Sequence, residues 1–340
     1  MKAIVFHAPQ NISIDDVAMP EYGEQEALVK VIQVGICGGD IHFYDGSQPY
    51  ANNPQIYGHE MVGRIAALPN GYDGALKNGD LVVSEILDAC GECYPCRHGK
   101  PNCCANLKVI GAHSPGAFAE YAVYPLKNIH KVPANVDVDS AVLVEPYTIG
   151  YHCVERSEIC AGETALVIGV GAIGLTIVDI LKSKGIRTIA ADISEFRLNK
   201  AKAMGADEII NSSRENLLER TLELTGGEGA GVVFEATGVS SIMSMTQDLV
   251  AAGGMITIVG LTTKDVSFHG LNFTKREMTI HGCRNSVGAF GPVLKLMSEK
   301  KLHEKELLTK KIDFEDAVEG FKYVVNNVAT EGKVVIQIEK

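Results

Sequence analysis

Four cysteines spaced Cys90-x2-Cys93-x2-Cys96-x7-Cys104 are the densest chemical feature of this chain. Four thiolates on so short a segment can close a tetrahedral shell around zinc, and Gly91, Pro95 and Gly99 give the backbone turns with which to wrap an ion. Such a shell leaves no open coordination position, so its zinc would organise a lobe and not react. Cys103 stands beside Cys104, and spacing alone leaves open which of the two is the fourth ligand.

A second signature is Gly169-Val170-Gly171-Ala172-Ile173-Gly174, a G-x-G-x-x-G loop. Gly169 allows the tight turn, Gly171 lets backbone N–H groups approach a pyrophosphate, and Gly174 permits close packing of helix on sheet. The helix that opens at Ala172 and Ile173 adds the partial positive charge of its N-terminus. Asp192 follows some 20 residues on, where a carboxylate accepts hydrogen bonds from ribose hydroxyls. A 2′-phosphate would meet that negative charge, so NAD is expected over NADP. Arg197, five residues further, leaves room for some tolerance of NADP. Cys37, in Gly35-Ile36-Cys37-Gly38-Gly39-Asp40-Ile41-His42, and His59-Glu60, after Gly58, are also metal-ligating residue types, although singly such residues are as readily structural.

The elements that must hold these residues change character near residue 160. Before it, Lys2–Phe6, Ala27–Val34 and Phe118–Val123 read as short strands separated by turn clusters such as Asn70–Gly74 and Lys77–Asp80. Beyond it, Thr164–Ile168 and Arg187–Ala191 are apolar runs, each followed by a helical stretch, the second capped by Ser194 and ending at Gly205. Gly231–Ala236 and Met255–Val259 read as further buried strands, and the alternation implies a doubly wound parallel sheet. The expected fold is therefore α/β, a Rossmann-type doubly wound sheet beside a mainly β domain. The expected boundaries are 1–146 for a first domain, 147–289 for a nucleotide-binding domain, and 290–340 as a return to the first through the strand-like Lys333–Ile338.

The whole chain sets limits on function. It has 340 residues, 46% hydrophobic and 21% charged, which is globular and long enough for two domains. The formal charge of −11 argues against nucleic acid or an anionic membrane as the main partner. An acidic substrate would need a local basic residue. The most apolar stretches, Thr164–Val178 and Leu249–Thr263, are glycine-interrupted and closed by Asp179 and Lys264, too short to span a bilayer. The opening MKAIVFHAPQ soon reaches Asp15 and Asp16 with no signal-peptide core, so a cytoplasmic location with reduced thiols is expected. There the nine cysteines, five of them between Cys90 and Cys104, suggest metal before disulfides. Cys153, Cys160 and Cys283 read as buried small hydrophobes, and His152 as a core or capping residue.

Taken together, Cys37, Gly58-His59-Glu60, the four-cysteine lobe, Glu145-Pro146 and Gly169–Gly174 with Asp192 resemble, in order and over essentially the whole chain, the zinc-dependent medium-chain alcohol and polyol dehydrogenases. The resemblance implies a GroES-like catalytic domain with the structural zinc lobe at about 88–106. It also implies a catalytic zinc held by Cys37 and His59, with Glu60 as third ligand or close partner and Glu145 at the metal or one water away. Two zinc ions per subunit, NAD and a homodimer or homotetramer follow, with the site in the cleft between the domains. The zinc would acidify a substrate hydroxyl, and hydride would pass to the nicotinamide. The family places Ser or Thr two residues after the cysteine, to relay the proton toward the residue matching His42; here that position is Gly39, so a water or a substrate hydroxyl is expected to bridge the gap, with proton release through Glu60 or Glu145 as the alternative. Within the family the chain is similar to bacterial sugar-acid dehydrogenases of the L-galactonate and L-gulonate 5-dehydrogenase type, through Ser47-Gln48-Pro49-Tyr50, Asn102-Cys103-Cys104, Val109–His113 and Gly282-Cys283-Arg284-Asn285. The substrate this implies is a sugar acid oxidised at C5, with a hexitol or sugar-phosphate polyol, a threonine-type amino alcohol, and a non-catalytic zinc- and nucleotide-binding regulator as alternatives. Arg284 is the candidate for the carboxylate, and His113 and Glu120 are candidates for lining the site.

Overall fold

The computed structural model describes residues 1–48, 51–327 and 330–339. Among them no helix is long and apolar enough to cross a membrane. The chain divides into two compact units, one of Met1–Glu145, Phe290–Glu299 and Leu308–Lys340, the other of Pro146–Ala289 and Lys300–Leu307.

The first unit is built on a seven-stranded sheet whose centre is the strand Glu26–Gly35. Val29, Val31 and Val34 of this strand are fully buried, as β-branched residues in a central strand should be. The strand Glu60–Ala67 runs antiparallel on one side with Glu60 opposite Gly35. The returning strand Lys333–Gln337 runs antiparallel on the other with Val335 opposite Gly35. The end of the central strand therefore sits between residues that are distant in sequence. The helix Gly38–Asp45 follows directly and docks through Phe43, whose ring stacks on Tyr57 at 4.0 Å between centroids. Phe6 meets Tyr57 and Phe321 edge-on at 5.0 and 5.2 Å, so the same aromatic core clamps that helix and the helix Ala317–Asn327.

The second unit carries six parallel strands, numbered here β1 Thr164–Ile168, β2 Arg187–Asp192, β3 Glu208–Asn211, β4 Ala230–Glu235, β5 Val250–Ile258 and β6 Thr279–Gly282, in the order β3-β2-β1-β4-β5-β6. This is the order of a dinucleotide-binding sheet, reversing direction beside β1. Ala165, Leu166 and Val167 are fully buried because helices cover both faces. The helix Ala172–Ser183 starts from Gly171, and Ser194 caps the helix Glu195–Ala203 by accepting the Arg197 N–H, as its sequence position suggested. The short strand β3 had no clear signal in the sequence.

Residues 300–307 belong to this second unit, although the sequence pattern assigned all of 290–340 to the first. A buried carboxylate of the second unit holds the segment. Asp179 accepts the backbone N–H of His303 at 2.7 Å and the Tyr147 hydroxyl at 2.6 Å, and its other oxygen lies 2.8 Å from His303 Nδ1. A second correction concerns Cys160, which is exposed in the turn before β1, its sulfur donating to the Glu158 carbonyl, and is no core residue.

Candidate metal centre and dinucleotide site

The antiparallel register brings Cys37, His59 and Glu60 together. Cys37 is the extended residue before the helix Gly38–Asp45, and Glu60 opens the strand that pairs with Gly35. One ligand atom from each of Cys37, His59 and Glu60 lies within 4.8 Å of the other two. A Cβ at position 35 would stand 2.1 Å from Glu60 Oε2, so glycine there leaves that carboxylate its place. Glu60 is only 1% exposed, and its Oε2 has no hydrogen-bond partner. Its other oxygen accepts from Lys333 Nζ at 2.6 Å, and the same ammonium reaches the Ile36 carbonyl at 3.3 Å.

Asp40 lies beside both Cys37 and His59. One oxygen accepts the Cys37 N–H at 2.9 Å, and the other faces His59 Nδ1 at 3.8 Å. Burial raises the Asp40 carboxyl to about 6 and the Glu145 carboxyl to about 7, both held back by the nearby His59. Burial would lower His59, but Cys37 and Asp40 raise it well above its usual value. Glu145 lies in the first turn of the helix Val144–Arg156, buried, and senses His59, Glu60 and Lys333 without belonging to the tight group of three. Sulfur, imidazole and carboxylate donors within 4.8 Å of one another, the carboxylate buried with one oxygen lacking a partner, could hold a divalent cation, and the donor types suit zinc.

Other expected residues are not members of this tight group. His42 is exposed on the helix, with Nδ1 2.8 Å from Ser47 Oγ. A Cβ built on Gly39 would meet nothing within 4 Å, so the space that a relay hydroxyl would use is open. His113 is exposed and its Nδ1 accepts the Val109 N–H at 2.9 Å, while Glu120 accepts the Lys2 N–H at 2.7 Å. Arg284 is exposed two residues beyond β6. Pro49 and Tyr50, part of the segment Ser47–Tyr50, lie outside the described residues. Two residues of the centre were missed from the sequence. Asp40 carried a usable signal, the capping spacing of three after Cys37. Lys333 carried none, because a lysine at the edge of an apolar run reads as solvated.

The cysteine lobe resolves the ambiguity of the paired thiols. Cys90, Cys93, Cys96 and Cys104 place their sulfurs within 4.8 Å of one another, Cys104 buried, while Cys103 is exposed and outside the group. The N–H groups of Cys90 and Asn106 point at Cys104 Sγ at 3.4 and 3.3 Å, and backbone hydrogen bonds from Ala105 and Cys96 lower the Cys93 thiol. Such donors favour thiolates, the form that binds zinc.

In the second unit the glycine loop has the geometry its spacing implies. Gly169 has φ 85°, and a Cβ there would strike Thr237 at 2.6 Å. A Cβ on Gly174 would lie 2.0 Å from the Gly169 carbonyl. A Cβ on Gly171 would meet nothing within 4 Å, leaving open the approach to the first N–H groups of the helix, which no side chain caps. That cradle fits a pyrophosphate. Asp192 ends β2 and is tied to the loop, its two oxygens accepting the N–H groups of Val170 and Ser194 at 2.9 Å each. Arg197 Nη1 stands 4.0 Å from Asp192.

Comparison with known proteins gives a consistent picture. Residues 23–134 match the alcohol dehydrogenase GroES-like domain, and residues 172–299 match the zinc-binding dehydrogenase family. The chain is 35% identical over 330 residues to L-galactonate-5-dehydrogenase of Escherichia coli strain K12, covering 96% of each. It is 34% identical over 316 residues to sorbitol dehydrogenase of Halalkalibacterium halodurans, covering 91% of this chain and 92% of the relative. Among solved structures, an alcohol dehydrogenase (rspB) of E. coli CFT073 complexed with NADH superposes with a TM-score of 0.93 at 33% identity over 99% of both chains.

Proposed function

Because the chain belongs to the zinc-dependent medium-chain dehydrogenases of the polyol and sugar type, we propose that it oxidises a secondary alcohol of a sugar acid, a hexonate such as L-gulonate or L-galactonate at C5, to the ketone, with NAD as hydride acceptor. The observation that carries the reaction class is the group of Cys37, His59 and the buried Glu60, whose Oε2 has no hydrogen-bond partner. When bound, zinc acidifies the substrate hydroxyl and NAD accepts the hydride.

The chain's own residues do the rest. Cys37 and His59 hold the metal, with Glu60 and Glu145 as the carboxylates that complete or exchange in its shell. Asp40 sets its carboxylate beside the His59 ring, and Lys333 neutralises one oxygen of Glu60. The open space above Gly39 admits a water or a hydroxyl of the substrate itself, which passes the proton toward His42 and, through Ser47, to solvent. Asp192, aimed by Val170 and Ser194, receives the adenosine ribose, which favours NAD over NADP.

The sugar-acid reading rests on the similarity to L-galactonate-5-dehydrogenase and on the exposed Arg284 as carboxylate partner. The comparable similarity to sorbitol dehydrogenase supports hexitol oxidation as a second reading. Initial rates of NADH formation on paired hexonates and hexitols separate the two. Under the first, Arg284→Ala lowers kcat/KM on a hexonate far more than on its hexitol; equal losses overturn carboxylate recognition by Arg284, and hexitol preference in the unaltered enzyme overturns the sugar-acid reading. The homodimer or homotetramer implied by the resemblance is checked by light scattering.

A further inference from the structure

Two buried cysteines take no part in either metal group. Cys153 lies on the helix Val144–Arg156 and Cys283 directly follows β6, 130 residues away, yet their sulfurs are 3.0 Å apart. Cys153 is fully buried and Cys283 is 8% exposed. Their backbones are held in place around them. Arg156 Nε donates to the Gly282 carbonyl at 3.0 Å, His281 Nδ1 donates to the Arg156 carbonyl at 2.9 Å, and the Cys283 N–H donates to the Ile258 carbonyl at 2.8 Å. A disulfide needs its sulfurs about 2.05 Å apart, so closure asks for a shift of only about 1 Å.

We propose that Cys153 and Cys283 form a modification site, an intramolecular disulfide made on exposure to hydroperoxides. Cys283 is the attacking group, because it is the member with solvent access and because the Cys153 S–H donates to it and Arg156 stands nearby, which together lower its thiol against the burial that would raise it. Its thiolate attacks hydrogen peroxide, the O–O bond breaks, and the sulfur becomes a sulfenic acid while the leaving hydroxide takes a proton to give water. Cys153 then attacks that sulfur, the S–O bond breaks as the S–S bond forms, and the Cys153 proton leaves with the hydroxide as a second water. Two thiols lose two electrons in all and the peroxide gains them.

The bridge would fasten the helix to the C-terminal end of β6. In a parallel doubly wound sheet, ligands bind at the C-terminal ends of the strands. A backbone shift at Gly282–Arg284 therefore weakens binding of the dinucleotide; this consequence rests on the function proposed above, whereas the disulfide does not.

The test treats the zinc-loaded full-length protein with a few equivalents of hydrogen peroxide and maps it by mass spectrometry without reduction. The expected result is a peptide pair joined through Cys153 and Cys283, 2 Da lighter than the two thiols and released by dithiothreitol. Free thiols at both positions, sulfinic acid at Cys283, or pairing of either with another cysteine overturns the proposal. NADH titration by fluorescence reads the consequence. Peroxide should raise the Kd about tenfold in the unaltered protein and leave Cys153→Ala unmoved; equal weakening of both would sink the coupling to the dinucleotide site while the mapped bond decides the disulfide independently.

Discussion

Lys333 and Glu60 form a buried ion pair across 273 residues of sequence, Nζ to Oε1 at 2.6 Å, with the side chains 4% and 1% exposed. The lysine claims one carboxylate oxygen and leaves the other without a hydrogen-bond partner, in a side chain that lies within 4.8 Å of the Cys37 and His59 donor atoms. Burial would depress the ammonium, but Glu60 and Cys37 raise it, so it stays charged.

Removing that cation leaves a buried carboxylate without compensation. Lys333→Met should cost about 3–5 kcal/mol of stability, as is usual when one partner of a buried pair is lost. Urea unfolding of the zinc-loaded protein measures it, and Lys333→Arg should recover part of the loss. A cost below 1 kcal/mol for Lys333→Met would mean the pair does not hold Glu60.

Zinc content separates the two metal groups. The unaltered protein should carry two zinc ions per chain by plasma emission spectroscopy, Cys104→Ser one, and Cys103→Ser two, since only Cys104 joins the sulfur cluster. A chelator mild enough to spare the closed lobe should abolish turnover by removing the other ion. Full activity with a single lobe-bound zinc would contradict the assignment of Cys37 and His59.

Gly39 offers a gain-of-function experiment. Since a Cβ there meets nothing within 4 Å, Gly39→Ser should change stability by no more than about 0.5 kcal/mol. The added hydroxyl should raise turnover on simple secondary alcohols relative to polyhydroxylated substrates, which no longer need to supply the bridge. His42→Ala should alter the pH profile of kcat in both backgrounds; an unchanged profile would show that the proton leaves by another route.

The anchor at Asp179 gives a pH signature. Burial raises its carboxyl above the usual 3.8, against the donors Tyr147 and His303 that lower it. A carboxyl raised on folding binds its proton more tightly in the native state, so its contribution to stability is present at low pH and lost as pH rises through the folded value. Asp179→Asn, which cannot titrate, should therefore gain stability relative to the unaltered protein as pH rises from about 4, and the gap should then level off. Melting temperatures of both proteins from pH 4 to 8 check the sign; a gap that shrinks with pH would reverse the reading.

Much of this protein was legible in its residues because its chemistry is local. The G-x-G-x-x-G turn, the strand before it and Asp192 after it lie within one strand–helix–strand unit, where spacing alone dictates geometry. The cysteine lobe is equally self-contained, and only the choice between Cys103 and Cys104 needed coordinates, because two adjacent thiols project in different directions. The metal centre was legible in part. Cys37 and His59-Glu60 were visible as residue types, but singly they are indistinguishable from structural residues.

What tertiary structure alone decided depends on pairing between distant segments. Sheet register sets Glu60 against Gly35 and returns Lys333 beside them, so the orientation of one carboxylate is settled by three strands that no local pattern connects. The same holds for Asp179, which holds residues 300–307 to the second unit, and for Cys153 and Cys283, which are 130 residues apart in sequence and in contact in the fold. The sequence by itself determined which groups the chain possesses and the local turns that present them. Long-range strand pairing determined which of those groups share a charge, a proton or a metal, because electrostatics and hydrogen bonding depend on separation in space.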